Sequence, residues 1–168
     1  MKRIIFFLTV AFFIQINFGF AQLTAKEARQ QKKELKMQEV QQLVESNHFI
    51  FKADALTTSS GYYKDLDYNY DLILANDSVH VYLPYWGRVY MARINDDAGF
   101  KFSESIDKLK FKDRGKKGYQ ISFTSENKGD SYFFTLDVSK LGYAYLKVNS
   151  TRKSFISYDG TIHAHTQE

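Results

Sequence analysis

Apolar and polar residues alternate with a period of two from Asn47 onward, whereas before that point the apolar residues recur at helical spacing. The alternation is clearest in YNYDLILANDSVHVYLPY, residues 68–85, where Asn76-Asp77 forms a two-residue hairpin turn between two strand-like runs. Folding the chain there sets Leu74 against Val79, Leu72 against Val81, Tyr70 against Leu83 and Tyr68 against Tyr85, with all eight on one face. The other face carries Asn69, Asp71, His80 and Tyr82, with Ile73 the exception, as expected of a sheet with one buried side. The same rhythm returns in Tyr119, Ile121 and Phe123, in Tyr132, Phe134, Leu136 and Val138, and in Ala144, Leu146 and Val148. Turn-forming stretches separate these runs: NDDAG, DRGKKG, ENKGD, SKLG and STRKS. The pattern predicts a mainly β domain, an antiparallel meander of eight to ten short strands. It closes into a barrel-like sheet or folds as a two-sheet sandwich, the barrel being the better way to remove exposed edges.

Before the strands, Thr24 and Glu27 have capping-box spacing, and neither Gly nor Pro interrupts the chain from there to Gly61. A helix is expected from about Ala25 to Glu45. Leu35, Met37, Val40, Leu43 and Val44 give it an apolar stripe only in its second half, so its first half should be solvated.

The first 21 residues, MKRIIFFLTVAFFIQINFGFA, have two basic residues, an apolar run from Ile4 to about Ile14, and Gly19 and Ala21 near the end. That is the form of a secretory signal cleaved before Gln22, and the run is short for a membrane-spanning helix. The expected organisation is a signal peptide at 1–21, an N-terminal helix at 22–46 and an all-β domain at 47–168. The expected location is periplasmic or secreted, with no transmembrane segment once the signal is removed. Lys2 and Arg3 would leave with the signal, bringing the 23 basic residues close to the 19 acidic ones. A charge so near neutral argues against nucleic acid as a partner. The chain has no cysteine, which removes disulfides, thiolate nucleophiles and thiolate metal sites.

The only proline and only tryptophan lie together in LPYWG, residues 83–87. A structural reading makes Pro84, Tyr85 and Gly87 a corner: proline ends the ladder, a positive φ at Gly87 bends the chain, and a new strand starts near Arg88. A functional reading makes Tyr82, Trp86, Arg88 and Tyr90 a stacking surface for a sugar, an aromatic group or a peptide, with Arg88 available to an anionic group. The two are compatible.

Together with SGYY (60–63), GFKFS (99–103), LGYAYLKVNS (141–150) and SFISYDGTI (154–162), the run VYLPYWGRVY (81–90) resembles a family of small exported Bacteroidetes proteins catalogued as domain of unknown function 4251. The similarity runs from about Phe49 to Ile162. It implies export, a β-rich single domain and no assigned activity, cofactor or catalytic residue.

Other constellations have plain structural readings. His163 and His165 share a strand face near the end of the chain without a third metal ligand in spacing. Asp65 and Asp67, and Asp96 and Asp97, are carboxylate pairs in turn-forming sequence. Asp77-Ser78-Val79 resembles the O-glycosylation acceptor of exported Bacteroidetes proteins, with Ser78 the acceptor. No cofactor, metal site or catalytic motif is expected. Three functions remain open: a non-catalytic domain binding a small molecule, glycan or envelope protein through the aromatic corner; a structural or assembly protein of the envelope docking through its helix; and a hydrolase using those carboxylates. The exported protein should begin at Gln22. N-terminal sequencing tests this, and recovery of intact residues 4–20 in a membrane fraction would contradict it.

Overall fold

A computed structural model of the chain describes residues 25–91 and 99–165. The signal sequence, Thr24 of the capping box, and Asp96 and Asp97 lie outside the described residues. The chain divides into two units, residues 1–34 and residues 35–168.

Helix α1 spans Ala25–Glu45. Its residues 25–35 are all exposed, including Leu35 of the expected stripe, while Val40 and Val44 are fully buried. Asn47 ends the helix in the left-handed conformation at φ 50°, a common helix-stop geometry for Asn. No helix among the described residues is long and apolar enough to cross a membrane.

Eight strands follow: β1 (His48–Thr58), β2 (Tyr63–Ala75), β3 (Ser78–Pro84), β4 (Gly99–Asp113), β5 (Tyr119–Asn127), β6 (Asp130–Val138), β7 (Tyr143–Ser150) and β8 (Ile156–Ala164). Each pairs antiparallel with its neighbours in sequence and β8 pairs with β1, giving a closed barrel. Of the two architectures the alternation allowed, the barrel is the one adopted.

The β2–β3 hairpin has the expected pairs Leu72 with Val81 and Leu74 with Val79, turning through Asn76 at φ 57°. The ladder stops at Asp71 opposite Tyr82, so the expected pairs Tyr70 with Leu83 and Tyr68 with Tyr85 do not form. The cause lies in β2. Against β1 its register jumps from Tyr70 opposite Ala53 to Asp65 opposite Ala55, so residues 66–69 stand against the single residue Asp54. That bulge carries the first half of β2 away from β3 and leaves Tyr68 exposed. Beside it, Gly160 of β8 comes so near β1 that any Cβ there would collide with the Lys52 carbonyl.

The barrel interior is filled by side chains. Phe49, Phe51, Phe100, Phe123, Phe134, Tyr119 and Tyr158 are all fully buried. Phe123 stacks on Phe134 at 4.8 Å between centroids, and Phe100 meets Tyr132 edge-on at 5.6 Å.

Sequential antiparallel connections leave two barrel ends. At one, Val40 and Val44 join the core cluster, and a Cβ on Gly142 in the β6–β7 turn would stand 3.2 Å from a Val40 methyl. The second half of α1 therefore covers this end. Deleting residues 22–34 should leave the melting temperature nearly unchanged. Deleting 22–44 should cost at least about 3 kcal/mol, the burial of two valines. Thermal unfolding of the two truncations checks this, and equal melting temperatures would contradict it.

Candidate functional site

At the opposite end lie the β1–β2, β3–β4, β5–β6 and β7–β8 connections. Polar contacts join three of them. The buried Asp130 carboxylate, where β6 begins, accepts from Ser150 Oγ at 2.7 Å, Thr151 Oγ1 at 2.6 Å and the Thr151 amide at 3.1 Å. The Arg152 guanidinium reaches the Gly129 carbonyl at 3.1 Å. Arg152 also accepts the Tyr90 amide at 2.8 Å, and Val89 forms an isolated bridge with Lys153. Among the described residues no strand begins near Arg88: an isolated bridge and the hydrogen bonds beside it fasten the β3–β4 connection to the β7–β8 turn.

Tyr85 centres this fastening. Its hydroxyl lies 2.7 Å from the Arg88 carbonyl, 2.9 Å from Ser154 Oγ and 3.1 Å from the Ser154 carbonyl. Ser154 Oγ accepts the Arg88 amide at 3.0 Å, and the Ser154 amide donates to the Arg88 carbonyl at 2.9 Å. Beneath, Tyr158 donates to the Pro84 carbonyl at 2.6 Å. Lys153 is buried beside them, its ammonium 5.3 Å from the centroids of both Tyr85 and Phe100. Burial raises the pKa of Tyr85 above its ordinary value, partly offset by its bonds to Ser154, and raises Tyr158 well above.

Gly87 is required here for space. Its φ is not in the left-handed region expected of it. A Cβ would instead stand 2.5 Å from the Tyr85 hydroxyl oxygen and 2.7 Å from Ser154 Oγ, both held by the hydrogen bonds just described. Pro84 is buried and ends β3, as a residue without an amide donor should.

Trp86 points the other way and is 47 % exposed. Its indole lies nearly parallel to Tyr62 in the β1–β2 turn, 6.1 Å between centroids and 18° between planes. The Lys64 ammonium sits 3.6 Å from the indole centroid, a cation–π contact contributing about 0.5–1 kcal/mol at an exposed site. Where β2 swings away from β3, Tyr70, Tyr82, Leu83, Pro84, Trp86, Gly99, Phe100 and Lys101 line a groove of about 260 Å³. Tyr70 and Tyr82 meet in it at 5.4 Å between centroids, and the Lys101 ammonium lies 5.6 Å from the Tyr82 ring.

Of the four expected ligand contacts, the fold brings Tyr82 and Trp86 to this groove, while Arg88 and Tyr90 are exposed and outside its lining. Arg88 participates through its backbone, in the Ser154 knot. Tyr62, Lys64, Tyr70, Lys101 and Ser154 were not among the expected residues. Ser78 begins β3 exposed, its hydroxyl donating to the Ala75 carbonyl at 3.1 Å. Asp65 accepts from the Tyr63 hydroxyl at 2.7 Å, which raises the Tyr63 pKa, and Asp67 is exposed. His165 pairs with His48 at 3.0 Å and His163 with Thr161 at 2.9 Å, so the two do not converge. No cluster of three or more metal-ligating side chains occurs among the described residues.

The family model for a domain of unknown function, DUF4251, matches residues 31–162. A crystal structure of a DUF4251 family protein from Bacteroides eggerthii is similar at a TM-score of 0.61 and 12% identity, over 77% of this chain and 88% of that one. At that identity the likeness establishes the fold. No functionally curated protein matches the chain.

Two outcomes test the sealed end. Gly87→Ala should destabilise the barrel by about 1–3 kcal/mol through overpacking, measured by chemical denaturation. Because Tyr85 and Tyr158 hold their protons more tightly when folded, their contribution to stability should be fully present below the ordinary tyrosine value of 10.0 and be lost as pH rises above it. Absorbance titration should show Tyr158 ionising only as the barrel unfolds. Tyr158→Phe should flatten the alkaline slope.

Proposed function

We propose, for a chain that belongs to the DUF4251 family, a non-catalytic exported domain that binds a small molecule or glycan in the groove beside Trp86. The observation that carries this reading is the groove itself. It is a concave site of about 260 Å³ with three aromatic rings at its mouth, beside an interior filled with side chains. Rings held half-exposed over a rigid sheet suit stacking against a flat ligand and cost little entropy on binding.

The periplasm or the outside of the cell is the location we propose, on the strength of the signal-like residues 1–21. Docking through α1 has less support, because Leu35 is the one large exposed apolar residue of the helix. Hydrolysis by Asp65 and Asp67 also has less, since the Asp65 carboxylate is engaged by Tyr63 and Asp67 contributes nothing to the groove.

Native mass spectrometry of the protein recovered from its own cell envelope tests the reading. Wild type should carry a bound small-molecule or glycan mass that the Trp86→Ala, Tyr82→Ala double variant lacks. Trp86→Ala alone should change stability by less than about 2 kcal/mol, well below the cost of emptying a buried aromatic site. Retention of the bound mass by the double variant would overturn the assignment.

A further inference from the structure

Two of the groove's rings, Trp86 and Tyr82, each have a lysine ammonium beside them, although Lys64 is not itself part of the lining. The Lys64 ammonium lies 3.6 Å from the Trp86 centroid and that of Lys101 lies 5.6 Å from the Tyr82 centroid. Neither lysine belongs to an ion pair among the described residues. Asp71, which pairs with Tyr82 across β2 and β3, has its pKa raised by burial, with His80 and Lys52 nearby offsetting part of the rise. A neutral ring could not stack on the face of the indole that Lys64 covers without displacing it. A ring bearing an anionic group would add an ion pair to the contact already present, because ammonium can serve the indole and an acid together.

The backbone around the groove narrows the choice of ligand. Strand addition by a peptide needs a regular row of free amides and carbonyls. On the edge of β3 that faces β2, Tyr82 already stands opposite Asp71, Pro84 has no amide hydrogen, and the Pro84 carbonyl accepts from Tyr158. On the β2 side residues 66–69 are bulged, which breaks the donor spacing. Recognition therefore falls to side chains. The volume, about 260 Å³, is just below the roughly 300 Å³ at which drug-sized pockets begin, and so suits a single ring.

Building on the groove reading, we infer that this site takes an acidic saccharide. One sugar ring lies with its C–H face against Tyr82 beside the edge of Trp86, and its acid group pairs with the Lys64 ammonium where that rests on the indole, with Lys101 as the second cation.

The test titrates the purified protein with galacturonate oligomers, with the same oligomers as methyl esters, and with sulfated galactose oligomers. Calorimetry and the emission of Trp86, the only tryptophan, are the readouts. The acid or sulfated oligomers should bind and shift Trp86 emission, the methyl esters should bind at least about tenfold more weakly, and binding should weaken as salt is raised. Which of the two acids binds more tightly identifies carboxylate or sulfate as the preferred group. Lys64→Gln should cost about tenfold in affinity, with Lys64→Arg restoring most of it. Equal binding of acid and ester would overturn the acidic preference while leaving the groove reading intact. Acid binding unaffected by Lys64→Gln and by Trp86→Ala would move the site elsewhere and overturn both. Absence of heat and of any emission change with all three oligomers would overturn the saccharide inference, the groove reading then standing on the envelope-recovered mass alone.

Discussion

A closed barrel abolishes strand edges but leaves two open ends, and this protein depends on how those ends are sealed. Its interior holds large aromatic side chains, which stay dry only if both mouths are covered. The α1 side uses Val40 and Val44, a purely apolar cover. The far side uses a polar knot, in which the Tyr85 hydroxyl, Ser154 and the Arg88 backbone satisfy one another over the buried rings. Buried polar groups stabilise only when all are satisfied, so this seal tolerates little change.

The run LPYWG divides between sealing and display, with successive residues turned opposite ways. Tyr85 goes into the knot, and Gly87 makes room for it. Trp86 is thereby fixed outward against Tyr62 and Lys64, at the mouth of the groove that opens where β2 bulges away from β3. Because the ring is held by a seal the barrel needs, the proposed binding surface is rigid before any ligand arrives, the condition under which stacking contributes most to affinity.

Much of the fold was legible because two-residue alternation and turn chemistry are local signals. They gave the β2–β3 hairpin register at Leu72 and Leu74 and the helix limits near Ala25 and Glu45. The bulge at residues 66–69 was not legible, since alternation continues through it and the close approach of β1 and β8 at Gly160 beside it is a contact between distant strands. With that bulge unseen, Tyr68 was expected inside and Tyr70 was not expected in the groove. Gly87 was expected to serve a positive φ, yet the constraint is a hydroxyl contributed by its second neighbour and a serine 67 positions away. Lys64 and Ser154 gave no sequence signal at all, because their roles arise from contacts across the barrel end.

Native-state hydrogen exchange at the β3–β4 connection tests the sealing claim most directly. The amides of Arg88, Tyr90 and Ser154 lie outside the regular strands, yet each donates to a partner within the knot or the adjoining turn. If the seal is integral to the barrel, these amides should exchange only through global unfolding, with protection equal to that of core strands such as β6. Exchange at loop-like rates, with the core strands still protected, would show that this end opens independently and would contradict the account.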